Sequence, residues 1–203
     1  MSHLNLQPGQ TAVITGAASG FGLELARLGA QKGLNLVLTD VQQDALDKVV
    51  AELTAAGAQV AALRGDVSRG EDIQALADLC LERFGVPHIV INNAGVAYGG
   101  LIWEAGPRDW EWVLGVNLWG VIHGVRVFTP LMLAEARKNP AYQGHIVNVA
   151  SMAGMLNSPN LGVYNVSKHA VVSLSDTLYQ DLALVTDQVH ASVLCPYFVP
   201  TGI

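Results

Sequence analysis

Thr11-Ala12-Val13-Ile14-Thr15-Gly16-Ala17-Ala18-Ser19-Gly20-Phe21-Gly22 carries the reading of the fold. The first five residues form a short apolar run of strand type. They lead into a glycine-rich turn that opens a helical pattern ending near Gly33. Strand, turn and helix in this order suit a dinucleotide. Gly16 permits the tight turn, Gly20 lets backbone approach a pyrophosphate, and Gly22 lets the helix pack closely. The helix amino terminus adds unpaired N–H groups and the positive end of its dipole. The spacing is G-x-x-x-G-x-G, a variant of the common G-x-G-x-x-G, and a purely structural glycine turn is the alternative reading.

Outward from this segment the same alternation recurs. Leu34-Asn35-Leu36-Val37-Leu38-Thr39 reads as a second strand, followed by a helix with Leu46, Val49, Val50 and Leu53 on one stripe and Gly57 as its cap. Residues 59–64 read as a third, weaker strand, and Ile73, Leu76, Cys80 and Phe84 mark one face of the next helix. The remaining strands are predicted at 88–92, 144–150 and 189–195. Between them lie a long helical region from about Trp110 to Lys138 and a helix holding Tyr164 and Lys168. Strands alternating with helices predict an α/β protein whose parallel sheet is covered on both faces. Right-handed crossovers make it a doubly wound Rossmann fold with strand order 3-2-1-4-5-6.

Composition narrows the function. The 203 residues suit one domain, 1–203, and 51% apolar against 14% charged residues can bury a large core. A net charge of −6 without a basic cluster argues against nucleic acid, which needs grouped Lys and Arg. Cys80 and Cys195 read as small buried hydrophobes in a reducing compartment, not as a disulfide framework. Residues 1–10 lack the regions of a signal peptide, and no run reaches the ~18 to 20 apolar residues of a membrane span. A soluble cytoplasmic protein is expected, with no membrane contact and no metal site.

Two constellations carry chemistry. Asp40 ends the second strand about twenty residues beyond the glycines, where a carboxylate accepts bonds from ribose hydroxyls and repels a 2′-phosphate. NAD is therefore favoured over NADP, and Ser19, in place of a basic residue before Gly20, points the same way. Capping the next helix is the other reading of Asp40. Tyr164 and Lys168, four residues apart, share one helix face. A neighbouring cation favours a phenolate, which is how a tyrosine becomes a general acid/base. Such a pair also occurs on plain solvated faces, but Ser151 lies thirteen residues upstream, directly after the 144–150 strand, where ligands meet open α/β sheets.

Thr15-Gly16-x-x-x-Gly20-x-Gly22, Asn92-Asn93-Ala94-Gly95, Asn117, Ser151 and Tyr164-x-x-x-Lys168 together resemble the short-chain dehydrogenase/reductase family over nearly the whole chain. The resemblance implies that Gly16, Ser19, Gly20, Phe21, Gly22 and Asp40 form the cofactor site. Asp66, Val67, Asn93, Ala94 and Gly95 would flank the adenosine side, and Tyr164 and Lys168 the nicotinamide ribose. Pro196, Val199 and Thr201 belong to the segment that touches the carboxamide and pyrophosphate. Asp66 equally suits a turn. The implied activity is hydride transfer between NAD(P) and a secondary alcohol or ketone. Tyr164 would act as acid/base, Ser151 would bond the substrate oxygen, and Asn117 would hold a proton-relay water beside Lys168. A regulator that keeps the nucleotide scaffold and has lost the chemistry is the alternative.

Departures from the pattern are His88 in place of an aspartate, read as a surface or capped residue, and Tyr197 in place of a glycine after Pro196. The family also continues beyond the point matched by Ile203 into a substrate-covering loop, a helix and a seventh strand. A longer protein of about 250 to 300 residues is the expectation. Met152, Met155, Leu156, Val96, Tyr98, Leu101 and Trp103 suggest an apolar substrate pocket. Trp110, Trp112 and Trp119 read as helix packing, and the resemblance implies a homodimer or homotetramer joined through the long helix and the Tyr164 helix.

Overall fold

Successive residues of a strand face opposite sides, so a strand apolar at every position must be covered twice. The strands of this chain are of that kind. The computed structural model describes residues 6–197. Its sheet comprises β1 (Thr11–Thr15), β2 (Asn35–Asp40), β3 (Val60–Arg64), β4 (Ile89–Asn92), β5 (Gly144–Val149) and β6 (Val189–Leu194). All pairings are parallel, in the order β3-β2-β1-β4-β5-β6, as the sequence predicts.

Val13, Val37, Val90 and Ile146 face one core, which they share with Ile73 and Leu76 of α3 (Gly70–Phe84) and Phe128 and Met132 of α5 (Gly120–Lys138). Their neighbours Ala12, Ile14, Leu36, Leu38 and Ile91 face the other, with Ala26 of α1 (Gly20–Gln31) and Leu46, Val49 and Leu53 of α2 (Gln43–Ala55). Each large apolar side chain so buried stabilises the fold by roughly 1.5 to 3 kcal/mol. A polar link crosses this apolar interior: Asn92 Nδ2 donates to Asn148 Oδ1 at 2.8 Å, and Asn148 Nδ2 to Ser175 Oγ at 3.0 Å. It ties β4 and β5 to α6 (Gly162–Val185).

The predicted long helix is in three pieces. α4 (Pro107–Leu114) passes through a π-helical turn, Gly115–Trp119, into α5. The wider turn carries Asn117, which is buried although its side chain is fully polar. Pro107–Lys138 also corrects one expectation: with a mean hydropathy of 1.2 in its most apolar part, it is long and apolar enough to cross a membrane. Here it is a core helix, with Val121, Phe128 and Met132 buried.

The chain builds outward from β1 through β2 to β3, then crosses back to lay β4 on the other side of β1. The connections leaving β1 and β4 therefore lead to opposite faces of the sheet, and a crevice forms at the carboxyl ends of the strands.

Candidate active site

A cleft of about 860 Å³ runs along that edge, a volume suited to a sizeable ligand. Every strand contributes its carboxyl-terminal exit: Gly16 after β1, Asp40 to Gln42 at β2, Gly65 to Ser68 after β3, Asn93 to Ala97 after β4, Val149 to Ala153 at β5, and Pro196 and Tyr197 beyond β6.

The turn after β1 is shaped by glycine. Gly16 and Gly20 have φ of 64° and 52°, the left-handed region that L side chains avoid. A Cβ on Gly16 would stand 2.8 Å from Ala94 Cα, and one on Gly22 would overlap the Gly16 carbonyl oxygen. Ser19 caps α1 without a side-chain bond to its N–H groups, and the first turn holds no acidic residue. The first-turn donors therefore suit an anion. Thr15 and Asn93 staple this turn to the β4 loop. Thr15 Oγ1 accepts the N–H groups of Asn93 and Ala94, both at 3.0 Å, and Asn93 Nδ2 donates to Thr15 O at 2.9 Å.

Asp40 does not cap α2, whose N-cap is Gln42. Its Oδ2 accepts the Ala18 N–H and its Oδ1 the Gln42 N–H, each at 3.0 Å, so the carboxylate orders the glycine turn while facing the cleft. Asp66 does hold a turn, since its Oδ1 accepts from the N–H and hydroxyl of Ser68, and it lines the cleft beside Val67.

Ser151, Tyr164 and Lys168 line the same cleft; Ser151 follows β5, whereas Asp40 and Asp66 lie at β2 and β3 across β1 and β4. Ser151 starts the 3₁₀ turn Met152–Gly154 and its Oγ accepts the Ala153 N–H at 3.1 Å. Lys168 is only 4% exposed, its Nζ donates to Val149 O at 3.0 Å, and it stands 5.6 Å from the centroid of the Tyr164 ring. Burial pushes the ammonium down to about 8, with a weak opposing contribution from Cys195.

Asn117 does not line the cleft. Its Oδ1 accepts the Val96 N–H at 2.8 Å, and its Nδ2 donates to Val96 O at 2.9 Å and to Ser167 Oγ at 3.0 Å. The carboxamide thus holds the β4 loop. A Cβ on Gly95 would lie 3.5 Å from both Asn117 Oδ1 and Lys168 Nζ, which measures how closely these groups approach that loop. Ser167, which no sequence motif marks, is fully buried beside Lys168, whereas Val166 before it is 45% exposed.

The apolar part of the cleft is smaller than the sequence suggests. Val96 and Met152 line the cleft, joined by Ala97 and Leu161. Met155 and Leu156 are exposed, and Leu101 and Trp103 line a separate shallow groove near the start of α6. Trp112, read from the sequence as helix packing, is half-exposed on α4 and lines the cleft. His88 is partly buried; its Nδ1 accepts the Thr11 N–H at 3.3 Å, and burial lowers its pKa against a small opposing effect of Glu135. Val199 and Thr201 lie outside the described residues.

A model of the short chain dehydrogenase family matches residues 10–203. The chain is similar to a short chain dehydrogenase/reductase of Burkholderia phymatum solved in complex with NAD. That structure is 55% identical, with a TM-score of 0.93, over 97% of this chain and 68% of that one. It is 34% identical to the CLA biosynthesis dehydrogenase/reductase of Lactiplantibacillus plantarum, over 94% of this chain and 65% of that protein. It is 39% identical to the 1-deoxy-11-beta-hydroxypentalenate dehydrogenase of Streptomyces exfoliatus, over 95% of this chain and 68% of that protein. The chain thus spans about two thirds of the length of these relatives. With the glycine turn, the stapled β4 loop and the Ser151, Tyr164, Lys168 wall in one cleft, the chain belongs to the short-chain dehydrogenase family.

Proposed function

We propose that this protein is an NAD-dependent oxidoreductase that interconverts a secondary alcohol and a ketone, with Tyr164 as general acid/base. The observation that carries this reading is that Ser151, Tyr164 and Lys168 share one cleft with the glycine turn. The fit of a dinucleotide rests on the Gly16 and Gly20 backbone, the bare amino terminus of α1 and the volume available.

Gly16, Ser19, Gly20 and Phe21 would hold the pyrophosphate, Asp40 the adenosine ribose, Asp66, Val67 and Asn93 to Gly95 the adenosine side, and Tyr164 and Lys168 the nicotinamide ribose. Gly22 serves by close packing, and Pro196 would flank the carboxamide side, to which the family resemblance also assigns Val199 and Thr201. A bound nicotinamide would supply the hydride acceptor for oxidation and the donor for reduction. Ser151 donates its hydroxyl proton to the substrate oxygen and fixes its direction. Tyr164 takes the alcohol proton as the carbon gives up hydride, and returns it in the reverse direction. Lys168 keeps positive charge beside that phenol, and Asn117 holds the loop against which both are set.

Asp40 favours NAD because a 2′-phosphate would meet a carboxylate, and the Burkholderia phymatum relative holding NAD supports this. Val96, Ala97, Met152 and Leu161 suit an uncharged, medium-sized apolar substrate. A cytoplasmic homodimer or homotetramer joined through α5 and α6 would cover Trp119 and Tyr179, which are 50% and 56% exposed.

The test is nicotinamide absorbance with a panel of alcohols and ketones and either cofactor. Tyr164→Phe should lower turnover by about 10² to 10⁴ while cofactor binding persists. Wild-type rates in that variant would overturn the acid/base assignment. Cofactor binding without turnover on any substrate would favour a non-catalytic regulator.

A further inference from the structure

Ser167 has no place in the chemistry above and does not line the cleft, yet its hydroxyl joins α6 to the π-helical turn, which in turn holds the β4 loop. The side chain is fully buried, at 0% exposure. Its Oγ donates to the Tyr164 carbonyl at 2.7 Å and accepts from Asn117 Nδ2 at 3.0 Å. Asn117 in turn grips both backbone groups of Val96. A directional chain therefore runs from the β4 loop through the π-helical turn to the peptide that carries Tyr164.

The polarity of this chain admits one arrangement. The Tyr164 carbonyl can only accept, so the hydroxyl proton of Ser167 points to it and a Ser167 lone pair must receive the amide proton. Asn117 Nδ2 thereby places its two protons on Val96 O and Ser167 Oγ, and Oδ1 faces the Val96 N–H. A flipped amide would set like groups against each other on both sides. Val96 by itself sets which way the Asn117 amide faces, and Ser167 takes up the remaining amide proton, so its hydroxyl ties that oriented carboxamide to α6. A serine bonding back to the carbonyl three residues earlier also bends a helix locally, and here that carbonyl is the one of Tyr164.

We infer that Ser167 is a positioning residue of this enzyme, which through the Asn117 carboxamide and the Tyr164 peptide sets the phenol of Tyr164 relative to the substrate end at Val96. The inference rests on the oxidoreductase reading above and adds to it a residue that touches neither substrate nor cofactor.

The experiment compares wild type, Ser167→Ala, Ser167→Thr and Ser167→Cys in the full chain, measuring kcat, KM for the alcohol, the Kd for NADH by fluorescence, and thermal unfolding. Ser167→Ala should lower kcat by about tenfold, equivalent to about 1.4 kcal/mol of barrier, with the Kd for NADH unchanged. Ser167→Thr, which keeps the hydroxyl, should recover most of the loss. Ser167→Cys matches the volume but donates weakly, and should resemble Ser167→Ala. If Thr does not fold at this site, the Cys variant decides: kcat as low as in Ala supports the inference, and wild-type kcat overturns it. Equal losses in Ala and Thr, or a fall in stability with kcat intact, would reduce Ser167 to packing and overturn it too. A wild type inert with every cofactor removes the oxidoreductase reading and this inference with it. An active wild type with an equally active Ser167→Ala removes the inference alone.

Discussion

Replacing Lys168 by Met should yield a protein that is more stable at neutral pH and inactive. The ammonium is 4% exposed, and burial brings its pKa from the usual 10.5 to about 8. At pH 7 the folded state therefore carries a protonation penalty of about 3 kcal/mol, since one pH unit of difference between folded and unfolded pKa corresponds to about 1.36 kcal/mol. Methionine has a similar apolar length and no charge. It forfeits the bond from Nζ to Val149 O at 3.0 Å, a loss of about 1 to 2 kcal/mol. The net expectation is a gain of about 1 to 2 kcal/mol at pH 7, or a Tm higher by roughly 2 to 8 °C in a chain of this size.

The sign of the pH dependence follows from the depressed pKa of a base. The penalty is complete below the folded value near 8, declines as pH rises from there to 10.5, and is gone above it, where both states are neutral. Wild type should therefore overtake the Met variant near pH 10, where the remaining penalty of about 1 kcal/mol falls below the worth of its bond to Val149. Urea unfolding of both proteins at pH 7 and pH 10 measures this directly, because other groups titrating in that range cancel in the difference. A Met variant less stable than wild type by the same margin at both pH values would show that burial does not govern the ammonium.

Asp40→Ala should cost about 2 to 3 kcal/mol in urea unfolding, because the N–H groups of Ala18 and Gln42 lose their acceptor, and should relax the preference for NAD over NADP; an unchanged preference would leave Asp40 with only a structural task. Gly124→Ala should destabilise by about 3 kcal/mol or more, since the new Cβ would fall on Asn92 Oδ1 in a packed interior. By contrast Gly57→Ala, at φ 89° in open space, should cost only about 1 to 2 kcal/mol of left-handed strain; equal losses at the two sites would refute the steric argument. Burial pushes the Cys80 thiol up to about 12, so alkylation at pH 8 followed by mass spectrometry should label the half-buried Cys195 first and Cys80 only on unfolding. The reverse order would contradict the packing of Cys80.

The order of elements was legible because hydrophobic pattern is a local property. Val13-Ile14 and Leu36-Val37-Leu38 are apolar on both faces, which only a doubly covered parallel strand accommodates. Glycines at 16, 20 and 22 likewise announced a backbone path closed to other residues, and the spacing of Tyr164 and Lys168 put both on one helix face before any coordinates. The partners that face each other across the cleft were not legible in this way. Helical periodicity gives no sign of the π-helical turn at Gly115–Trp119, because an extra residue in a turn is stabilised from outside, here by Val96 and Ser167 bonding to Asn117. Nor could it tell that Trp112 would line the cleft while Met155 and Leu156 turned to solvent.

What the sequence determined by itself is the alternation of strands and helices, the phosphate-type turn and the identity of the reactive side chains, since each depends on residues close together in the chain. What only the tertiary structure decided is how Lys168 loses its water, which carbonyl receives its proton, and that Ser167 joins Asn117 to the Tyr164 peptide. Burial and hydrogen-bond direction are properties of groups brought together from β4, α6 and the π-helical turn, and no local pattern encodes a meeting of residues 96, 117 and 167.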